Sequence, residues 1–290
     1  MRHKNGEYRW FHTFGTVFDR DEAGKVVHVL NVSVDITEQE EAEHELYQKN
    51  LQLQQSNASL EEYAYVASHD LKEPLRKIAT FGDRLLSSQS ERLTDEGKLH
   101  LEKIISSSRR MQAMIGDLLA VSTISGERSF EQYSLQSVLN DVVQTLEHKI
   151  EEKKGVIISD DLPIINIVPS QFRQLFQNLI ANSLKFVKDG VIPRIDITHK
   201  YLRPVEVQSY ELAIAKKYLA ITFTDNGIGF DNQFANKIFT IFQRLHGRNE
   251  FEGTGIGLAI CKKVAENHGG TIIADGKPGE GATFTIIVPV

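Results

Sequence analysis

The sequence predicts an α+β protein in which a strand hairpin and two long amphipathic helices precede one mixed sheet with helices packed on it. Three observations carry this prediction. Apolar and polar residues alternate near the N-terminus, a Glu- and Gln-rich stretch lacks Pro and Gly from Thr37 until Pro74, and helix and strand patterns alternate beyond about residue 130. The chain has 290 residues, 41% hydrophobic and 25% charged, which suits about two globular domains.

The first predicted element is a strand hairpin. Residues 7–18 and 25–34 alternate with a period of two, and the turn between them runs from Asp19 to Gly24. An isolated hairpin is marginal in water because it cannot bury its faces and edges. We therefore expect this hairpin to dock on another element or to belong to a larger sheet.

The second predicted element is a long helix with a seven-residue repeat. Leu46, Leu53 and Leu60 recur every seven residues, which places Asn50 and Asn57 at the alternate core positions of a coiled coil. An amide at such a position favours a parallel two-stranded coiled coil, so the pattern predicts a homodimer. The alternative is a single amphipathic helix packed on its own domain.

A second amphipathic helix is predicted over about residues 94–124, joined to the first by residues 86–93. Two copies of this helical hairpin would close a four-helix bundle. Residues 124–129 break the pattern and predict a linker. The apolar stripe of the second helix comprises Leu101, Ile104, Ile105, Ser108, Met111, Ile115, Leu118 and Leu119.

Beyond the linker, helix and strand patterns alternate as expected for a layered domain. The predicted helices span residues 135–153, 170–187 and 255–268, and the predicted strands span residues 156–158, 194–200, 218–224, 271–274 and 282–288.

Charge and cysteine usage narrow the functional classes. The net charge is -6 and no Lys/Arg-rich block is present, so we expect no nucleic-acid partner. The single Cys261 excludes an internal disulfide and suits a reducing compartment, which predicts a cytoplasmic location. Apolar runs such as residues 218–221 fall far short of the roughly 18 residues of a membrane span, so we expect no membrane contact within this chain.

The first group of candidate site residues lies on the helix predicted over residues 171–186. Asn178, Asn182 and Lys185 share one stripe of this helix, at i, i+4 and i+7. A carboxamide oxygen suits Mg²⁺ and an ammonium can meet phosphate oxygens. An ordinary polar helix face is the alternative.

Two glycine-containing segments are further candidates. Asp225, Gly227 and Gly229 follow a predicted strand, where a carboxylate can accept a hydrogen bond from an exocyclic amino group; the alternative is a plain tight turn. Residues 253–257 run into a helix whose N-terminal N–H groups suit a phosphate, although close packing alone also explains such glycines. The long connection over residues 230–252 contains apolar residues and predicts a lid that packs when nucleotide is bound.

His69 is the candidate nucleophile. If Ala67 continues the leucine repeat, His69 lies about 200° round the helix and faces solvent. A neutral imidazole is a competent nucleophile near neutral pH, and a carboxylate such as Asp70 can hold the other ring nitrogen protonated. The spacing alone also fits an ordinary surface histidine.

Taken in this order, these segments resemble the sensor histidine kinases of two-component signalling, from about residue 60 to the C-terminus. Residues 69–76 are similar to the phosphoacceptor box, which implies that His69 is phosphorylated and that Asp70 is its acidic partner. Residues 178–186 resemble the N box, with Asn182 as the implied Mg²⁺ ligand. Residues 225–229 resemble the first glycine box, with Asp225 as the implied adenine contact.

The lid and the last glycine segment extend the resemblance. Residues 239–244 are similar to the family's lid phenylalanine box, and residues 253–257 to its second glycine box. The resemblance implies ATP and Mg²⁺ as cofactors, a homodimer, and the receiver domain of a response regulator as partner. The implied nucleotide-binding residues are Asn178, Asn182, Lys185, Asp225, Gly227, Gly229, Phe242, Arg244, Gly253, Thr254, Gly255 and Gly257.

The resemblance also divides the chain. Residues 1–36 resemble the C-terminal strands of a PAS domain, residues 37–60 a coiled-coil signal helix, residues 61–125 a dimerisation and histidine phosphotransfer domain, and residues 126–290 an ATP-binding α/β sandwich of the histidine kinase, chaperone and topoisomerase type. Residues 242–246 and 252–255 resemble the phytochrome-type and multi-PAS branch. Glu73 stands where many members carry Thr or Asn, so strong phosphatase activity is not expected.

Two rival functions follow from the same residues. The nucleotide fold resembles that of chaperone and topoisomerase ATPases, which implies an ATP-driven conformational machine as one alternative. A silent dimerisation scaffold is the other. The histidine box argues against the first, and the complete set of nucleotide-site residues argues against the second.

Overall fold

A computed structural model describes residues 4, 6, 8–123, 129–210, 212–213, 216–245, 251 and 253–290. The chain divides into two compact units, residues 1–63 and residues 64–290, and each is described by itself. The predicted linker at residues 124–129 lies outside the described residues except for Ser129. In the part of the chain that the structure describes, no helix combines the length and apolar character needed to cross a membrane.

The first unit begins with the predicted hairpin. Strand β1 (Phe11–Arg20) pairs antiparallel with β2 (Val26–Asp35), with Phe11 opposite Asp35. Hydrogen bonds between Asp21 and Lys25 close the turn, and Gly24 has a positive φ there. Large apolar residues remain exposed along the hairpin, including Phe14 and Phe18, so the expectation that it needs a further surface stands.

Helix α1 (Thr37–Gln89) is a single 53-residue helix. The Asp35 carboxylate accepts hydrogen bonds from the Thr37 amide and hydroxyl at 3.0 and 2.6 Å, which fixes the start of the helix. The helix continues through Pro74. Leu46, Leu53 and Leu60 are 62–67% exposed in this single chain, so their seam has no partner among the residues described.

The second unit opens with a helical hairpin formed by the end of α1 and by α2 (Asp95–Thr123). Residues 90–94 connect the helices, a shorter link than predicted, and Thr94 caps α2 by accepting the Gly97 amide at 3.1 Å. Ala79 and Ile105 are buried between the helices, and an Arg109–Asp83 ion pair of 2.7 Å crosses the hairpin. The prediction of a helical hairpin is therefore confirmed.

The rest of the second unit is an α/β sandwich. Its five-stranded sheet has the order β4-β6-β7-β9-β8, in which β4 and β6 are parallel and the other neighbours antiparallel. These strands are β4 (Val156–Ser159), β6 (Arg194–Tyr201), β7 (Tyr218–Asp225), β8 (Thr271–Lys277) and β9 (Gly281–Pro289). A separate antiparallel pair joins β3 (Glu131–Ser134) to β5 (Ile164–Ile167).

Helices cover one face of the sheet and enclose the main core. They are α3 (Leu135–Thr145), α4 (Glu147–Lys153), α5 (Pro169–Lys185) and α7 (Gly257–Asn267). Phe172 and Phe176 of α5 are fully buried, and Phe176 packs edge-on against Phe223 of β7 with ring centroids 5.0 Å apart. The short α6 (Pro204–Ser209) lies in the β6–β7 connection and belongs to a second small cluster with Tyr218, Ala220 and Ile287.

Three features of the sandwich differ from the sequence prediction. The helix predicted over residues 135–153 is interrupted at Leu146, where α3 ends and α4 begins. Strands β3 and β5 are not predicted from the sequence, because they are stabilised by pairing with each other and not by a local residue pattern. Helix α6 was also missed, since only its Val207 is buried.

Candidate active site

A cavity of about 270 Å³ lies in the sandwich between α5, the end of β7, the segment before α7, and β9. Its lining brings together the three separated segments that the sequence singled out. The predicted residues that line it are Asn178, Asn182, Lys185, Asp225, Gly229, Arg244, Gly253, Thr254, Gly255 and Gly257. Gly227 and Phe242 do not line it.

Helix α5 supplies one wall through the polar stripe beside its buried aromatic stripe. The Asn178 amide donates to the Gly257 carbonyl at 3.1 Å and so joins α5 to the start of α7. The Asn182 carboxamide also lines the cavity and makes no hydrogen bond with another side chain in the described ranges. Asn182 is therefore available to a ligand, whereas Asn178 holds the wall together.

The end of α5 places a positive charge at the cavity. The Lys185 ammonium lies 4.1 Å from the ring centroid of Phe186, which follows the helix. The Phe186 carbonyl accepts the Ile228 amide at 2.8 Å, and this bond ties the end of α5 to the turn after β7. Phe251 packs on Phe186 with centroids 5.0 Å apart, and both rings line the cavity.

Asp225 sits at the end of β7 with its carboxylate mostly enclosed. Burial raises the pKa of Asp225, and hydrogen bonds donated by the Gly227 amide, the Ser183 hydroxyl and the Ala282 amide oppose that rise. The three bonds are 2.9, 3.0 and 3.1 Å long. They fix the carboxylate while leaving acceptor capacity toward the cavity.

Two glycines after β7 are required by close approach. A Cβ on Gly227 would lie 2.3 Å from the Phe186 carbonyl oxygen, which explains why this residue shapes the turn without lining the cavity. Gly229 has φ +62°, and a Cβ there would lie 2.0 Å from the Lys277 carbonyl oxygen. Larger residues at either position would displace the turn that carries Asp225.

The predicted lid segment contributes two residues to the main core. Ile238 and Phe239 are 7% and 8% exposed and belong to that core. That the rest of the segment packs as a lid when nucleotide is bound stays a prediction. Phe242 is 56% exposed with φ +65°. Arg244 lines the cavity and donates to the carbonyls of Gly253 and Phe251 at 3.0 and 2.5 Å. Residues 246–250 and 252 lie outside the described residues.

The start of α7 forms the opposite wall. Gly255 precedes the helix with φ +76°, its carbonyl accepts the Phe242 amide at 3.0 Å, and α7 begins at Gly257. Gly257 and Leu258 line the cavity, so the N-terminal end of α7 faces it. Free N–H groups at a helix N-terminus suit an anionic group.

Several lining residues were not singled out from the sequence. They are mostly apolar. Several lie within segments that the resemblance or the predicted lid covers, but no pattern marks any of them as an individual site residue. They are Phe186, Ile228, Phe230, Ile238, Gln243, Leu245, Phe251, Leu258, Ala282 and Phe284. Ser183, which positions Asp225, lies on α5 one residue after Asn182 and was also overlooked.

His69 lies on the helical hairpin and does not line the cavity. Its side chain is 70% exposed, and its Nδ1 lies 3.4 Å from Oδ1 of Asp70. Glu73 follows one turn later and pairs with Lys77 at 2.8 Å, and this hydrogen bond lowers the pKa of Glu73. The imidazole is accessible, with one nitrogen beside a carboxylate and the other facing away from it.

A helical hairpin that exposes a histidine, joined to an α/β sandwich with a polar-and-aromatic cavity, is the architecture of a histidine kinase. Comparison with known families agrees. Residues 59–127 match the family described as His Kinase A (phospho-acceptor) domain, and residues 167–290 match the family of histidine kinase-, DNA gyrase B- and HSP90-like ATPases. Residues 1–33 match the PAS fold. The chain therefore carries the two domains of a sensor histidine kinase, a phospho-acceptor domain followed by an ATPase domain.

Individual relatives place the chain near cyanobacterial kinases. Cyanobacterial phytochrome A of Nostoc sp. is 38% identical over 247 residues, which cover 85% of this chain and 30% of that phytochrome. Adaptive-response sensory kinase SasA of Prochlorococcus marinus is 31% identical over 261 residues, which cover 84% of this chain and 63% of that kinase. The chain therefore spans less than a third of the phytochromes it matches.

Solved structures support the fold. The crystal structure of full-length ShkA in complex with AMPPNP superposes with a TM-score of 0.58 at 21% identity, covering 79% of this chain and 45% of ShkA. At this identity the likeness concerns the fold alone. It agrees with the predicted arrangement of a helical hairpin followed by an ATPase-type sandwich.

Proposed function

We propose that this chain uses Mg·ATP to phosphorylate His69 and then passes the phosphoryl group to an aspartate in the receiver domain of a response regulator. The observation that carries the proposal is the convergence of Asn182, Asp225 and the glycines before α7 on one cavity. Their segments lie far apart in the sequence, so a tight turn or a polar helix face does not explain their meeting. The exposed His69 supplies the acceptor.

The Asp225 end of the cavity is suited to adenine. Its carboxylate is held by three donors and can accept a further hydrogen bond from the exocyclic amino group of the base. Ile228, Phe230 and Phe284 line the cavity beside it and offer apolar contact to a flat ring. A guanine, which carries a carbonyl at the corresponding position, would face this carboxylate with an acceptor.

The other end is suited to a metal-bound triphosphate. We assign the Asn182 carboxamide as the Mg²⁺ ligand, because Mg²⁺ prefers oxygen donors and usually keeps only one or two protein ligands beside phosphates and water. Lys185, Thr254 and the N-terminus of α7 provide cationic and N–H groups for the phosphate oxygens. The bound metal would neutralise charge that develops on the transferred phosphoryl group.

His69 is proposed to act through Nε2. Because Nδ1 lies beside Asp70, a proton on Nδ1 can be shared with that carboxylate, which leaves a lone pair on Nε2. Nε2 attacks the γ-phosphorus in line, the bond from the γ-phosphorus to the β,γ-bridging oxygen breaks, and ADP leaves. The imidazolium then loses its Nδ1 proton to Asp70 or water. Asp70 thus stabilises the charge that forms on the ring.

Each proposed domain has its own role in this reaction. Residues 126–290 bind ATP, residues 61–125 dimerise and carry His69, residues 37–60 form the coiled coil, and residues 1–36 end a PAS domain. The exposed leucine seam of α1 and the exposed Phe81 and Ile104 of the helical hairpin are surfaces that a second copy would cover. We place the reaction in the cytoplasm, where ATP and response regulators are available.

The test is autophosphorylation with γ-labelled ATP and Mg²⁺. The wild type should gain an acid-labile, alkali-stable label that is lost in His69→Gln and in Asn182→Ala. His100→Gln is the matched control, because His100 is also an exposed histidine of the helical hairpin and should keep the label. Label that persists in His69→Gln would place the acceptor elsewhere. ATP hydrolysis without label would favour the conformational ATPase.

A further inference from the structure

His268 is a buried histidine that the proposed phosphoryl transfer does not use. It follows α7 and is 6% exposed. Its ring packs edge-on against Phe172 of α5 and Phe130 before β3, with centroid distances of 4.9 and 5.0 Å. A polar ring in such an apolar place is costly unless its nitrogens are satisfied.

Both ring nitrogens of His268 meet backbone groups. The Val168 amide donates to Nε2 at 3.0 Å, and Nδ1 lies 2.8 Å from the Val264 carbonyl oxygen. Since Nε2 accepts a hydrogen bond from the Val168 amide, Nδ1 must carry the ring proton and donate it in a hydrogen bond to the Val264 carbonyl. Burial lowers the pKa of His268 and so favours this neutral tautomer.

The Val168 amide lies at the start of helix α5. Val168 immediately precedes α5 and has no side-chain capping bond of its own. The hydrogen bond from Val168 to His268 therefore joins the start of α5 to the end of α7. A second bond, from Asn267 to Gln171 at 2.8 Å, lies beside it.

Helices α5 and α7 are antiparallel. These two bonds join them at the end away from the nucleotide cavity. At the near end Asn178 of α5 donates to the carbonyl of Gly257, where α7 begins. Asn182, one turn further along α5, lines the cavity together with Gly257. The position of Asn182 relative to α7 thus depends on how α5 is held at both ends.

We propose that His268 is a positioning residue for the nucleotide site: it anchors the start of α5 to the end of α7 and so holds Asn182 at its working distance from the N-terminus of α7. This inference rests on the proposed nucleotide binding. Without the ring acceptor, the buried Val168 amide loses its partner, so the start of α5 must shift or open to water. Small displacements of positioned groups weaken binding of the ligand they hold.

The test measures binding of Mg²⁺ and a non-hydrolysable ATP analogue to the full 290-residue chain by calorimetry. His268→Gln keeps an acceptor for Val168 and a donor for Val264, so its Kd should stay within about twofold of wild type. His268→Phe keeps a buried ring without either bond, and its Kd should rise at least about tenfold. Val264→Ala, fully buried on the same helix, should lower Tm while leaving Kd nearly unchanged.

Each outcome separates positioning from general stability. Equal affinity of wild type and His268→Phe would overturn the inference, as would equal losses in His268→Phe and Val264→Ala. If His268→Phe does not fold, His268→Asn replaces it, because its side chain is too short to make both bonds; wild-type affinity in that variant would also overturn the inference. Absence of nucleotide binding in the wild type would instead contradict the proposed function.

Discussion

The α/β sandwich and the N-terminal strands and helices differ in how far they bury their own apolar residues. Phe172, Phe176 and Phe223 of the sandwich are at most 1% exposed, whereas Phe14 of the strand hairpin, Leu53 of α1 and Phe81 of the helical hairpin are 57–64% exposed. The sandwich therefore closes a core within one chain. The N-terminal elements leave large apolar side chains exposed in a single chain, which is typical of surfaces that form interfaces.

The sharpest test of this difference compares one phenylalanine from each region. Phe176→Ala should lower the free energy of unfolding by about 3–5 kcal/mol, because it leaves a cavity in a closed core. Phe81→Ala should change the free energy of unfolding of the monomer by less than about 1 kcal/mol. Urea denaturation at low protein concentration measures both. Equal effects would show that the hairpin also buries Phe81 within one chain.

The next largest effect is expected in the coiled coil. Leu53→Asp should raise the dimer dissociation constant more than about tenfold, since burial of a leucine contributes about 1.5–3 kcal/mol. Gln52→Asp adds the same charge to an adjacent exposed position and serves as the control. Sedimentation velocity reports the dimer. An unchanged dimer in Leu53→Asp would favour the single amphipathic helix.

A smaller effect is expected from a substitution beside Asp225 in the cavity of the sandwich. Ser183→Ala removes the hydroxyl that donates to Asp225, and we expect nucleotide binding to weaken by about 1 kcal/mol, or about fivefold. Loss of this bond should also raise the pKa of Asp225 further. Titration calorimetry at pH 7.5 measures the affinity. The exposed Ser209→Ala should bind as the wild type does, and a similar loss there would remove Ser183 from the explanation.

The smallest effect is expected from pH. The pKa of His268 is lowered in the folded chain by burial, so its neutral form contributes stability that is complete above pH 6.5 and decreases as pH falls toward the folded-state pKa. Its faces meet Phe130 and Phe172, and no ion pair to it occurs within the described ranges. Tm should therefore fall between pH 7.5 and 5.5 in the wild type and fall less in His268→Gln. Parallel pH profiles would contradict this assignment.

Residue patterns predicted much of this protein because local physics governs its long elements. The strand alternation, the leucine repeat and the amphipathic stripe of α2 led to the two hairpins, and most of the predicted site residues line one cavity. Prediction failed where packing overrides local preference. Ile238 and Phe239 lie in the segment predicted as a lid but are core residues, and β3 and β5 are stabilised by pairing with each other across about 30 residues.

The sequence by itself determined the order of elements, the exposed His69 and the chemical types gathered for a nucleotide, because periodicity and residue chemistry are local properties. Only the tertiary structure decided which side chains share the cavity and that Gly227 shapes a turn while Gly229 reaches the lining. It also decided that Ser183 donates to Asp225 and that His268 accepts from Val168. Those relations join residues up to 100 positions apart. They depend on how helices and strands pack, which no local pattern encodes.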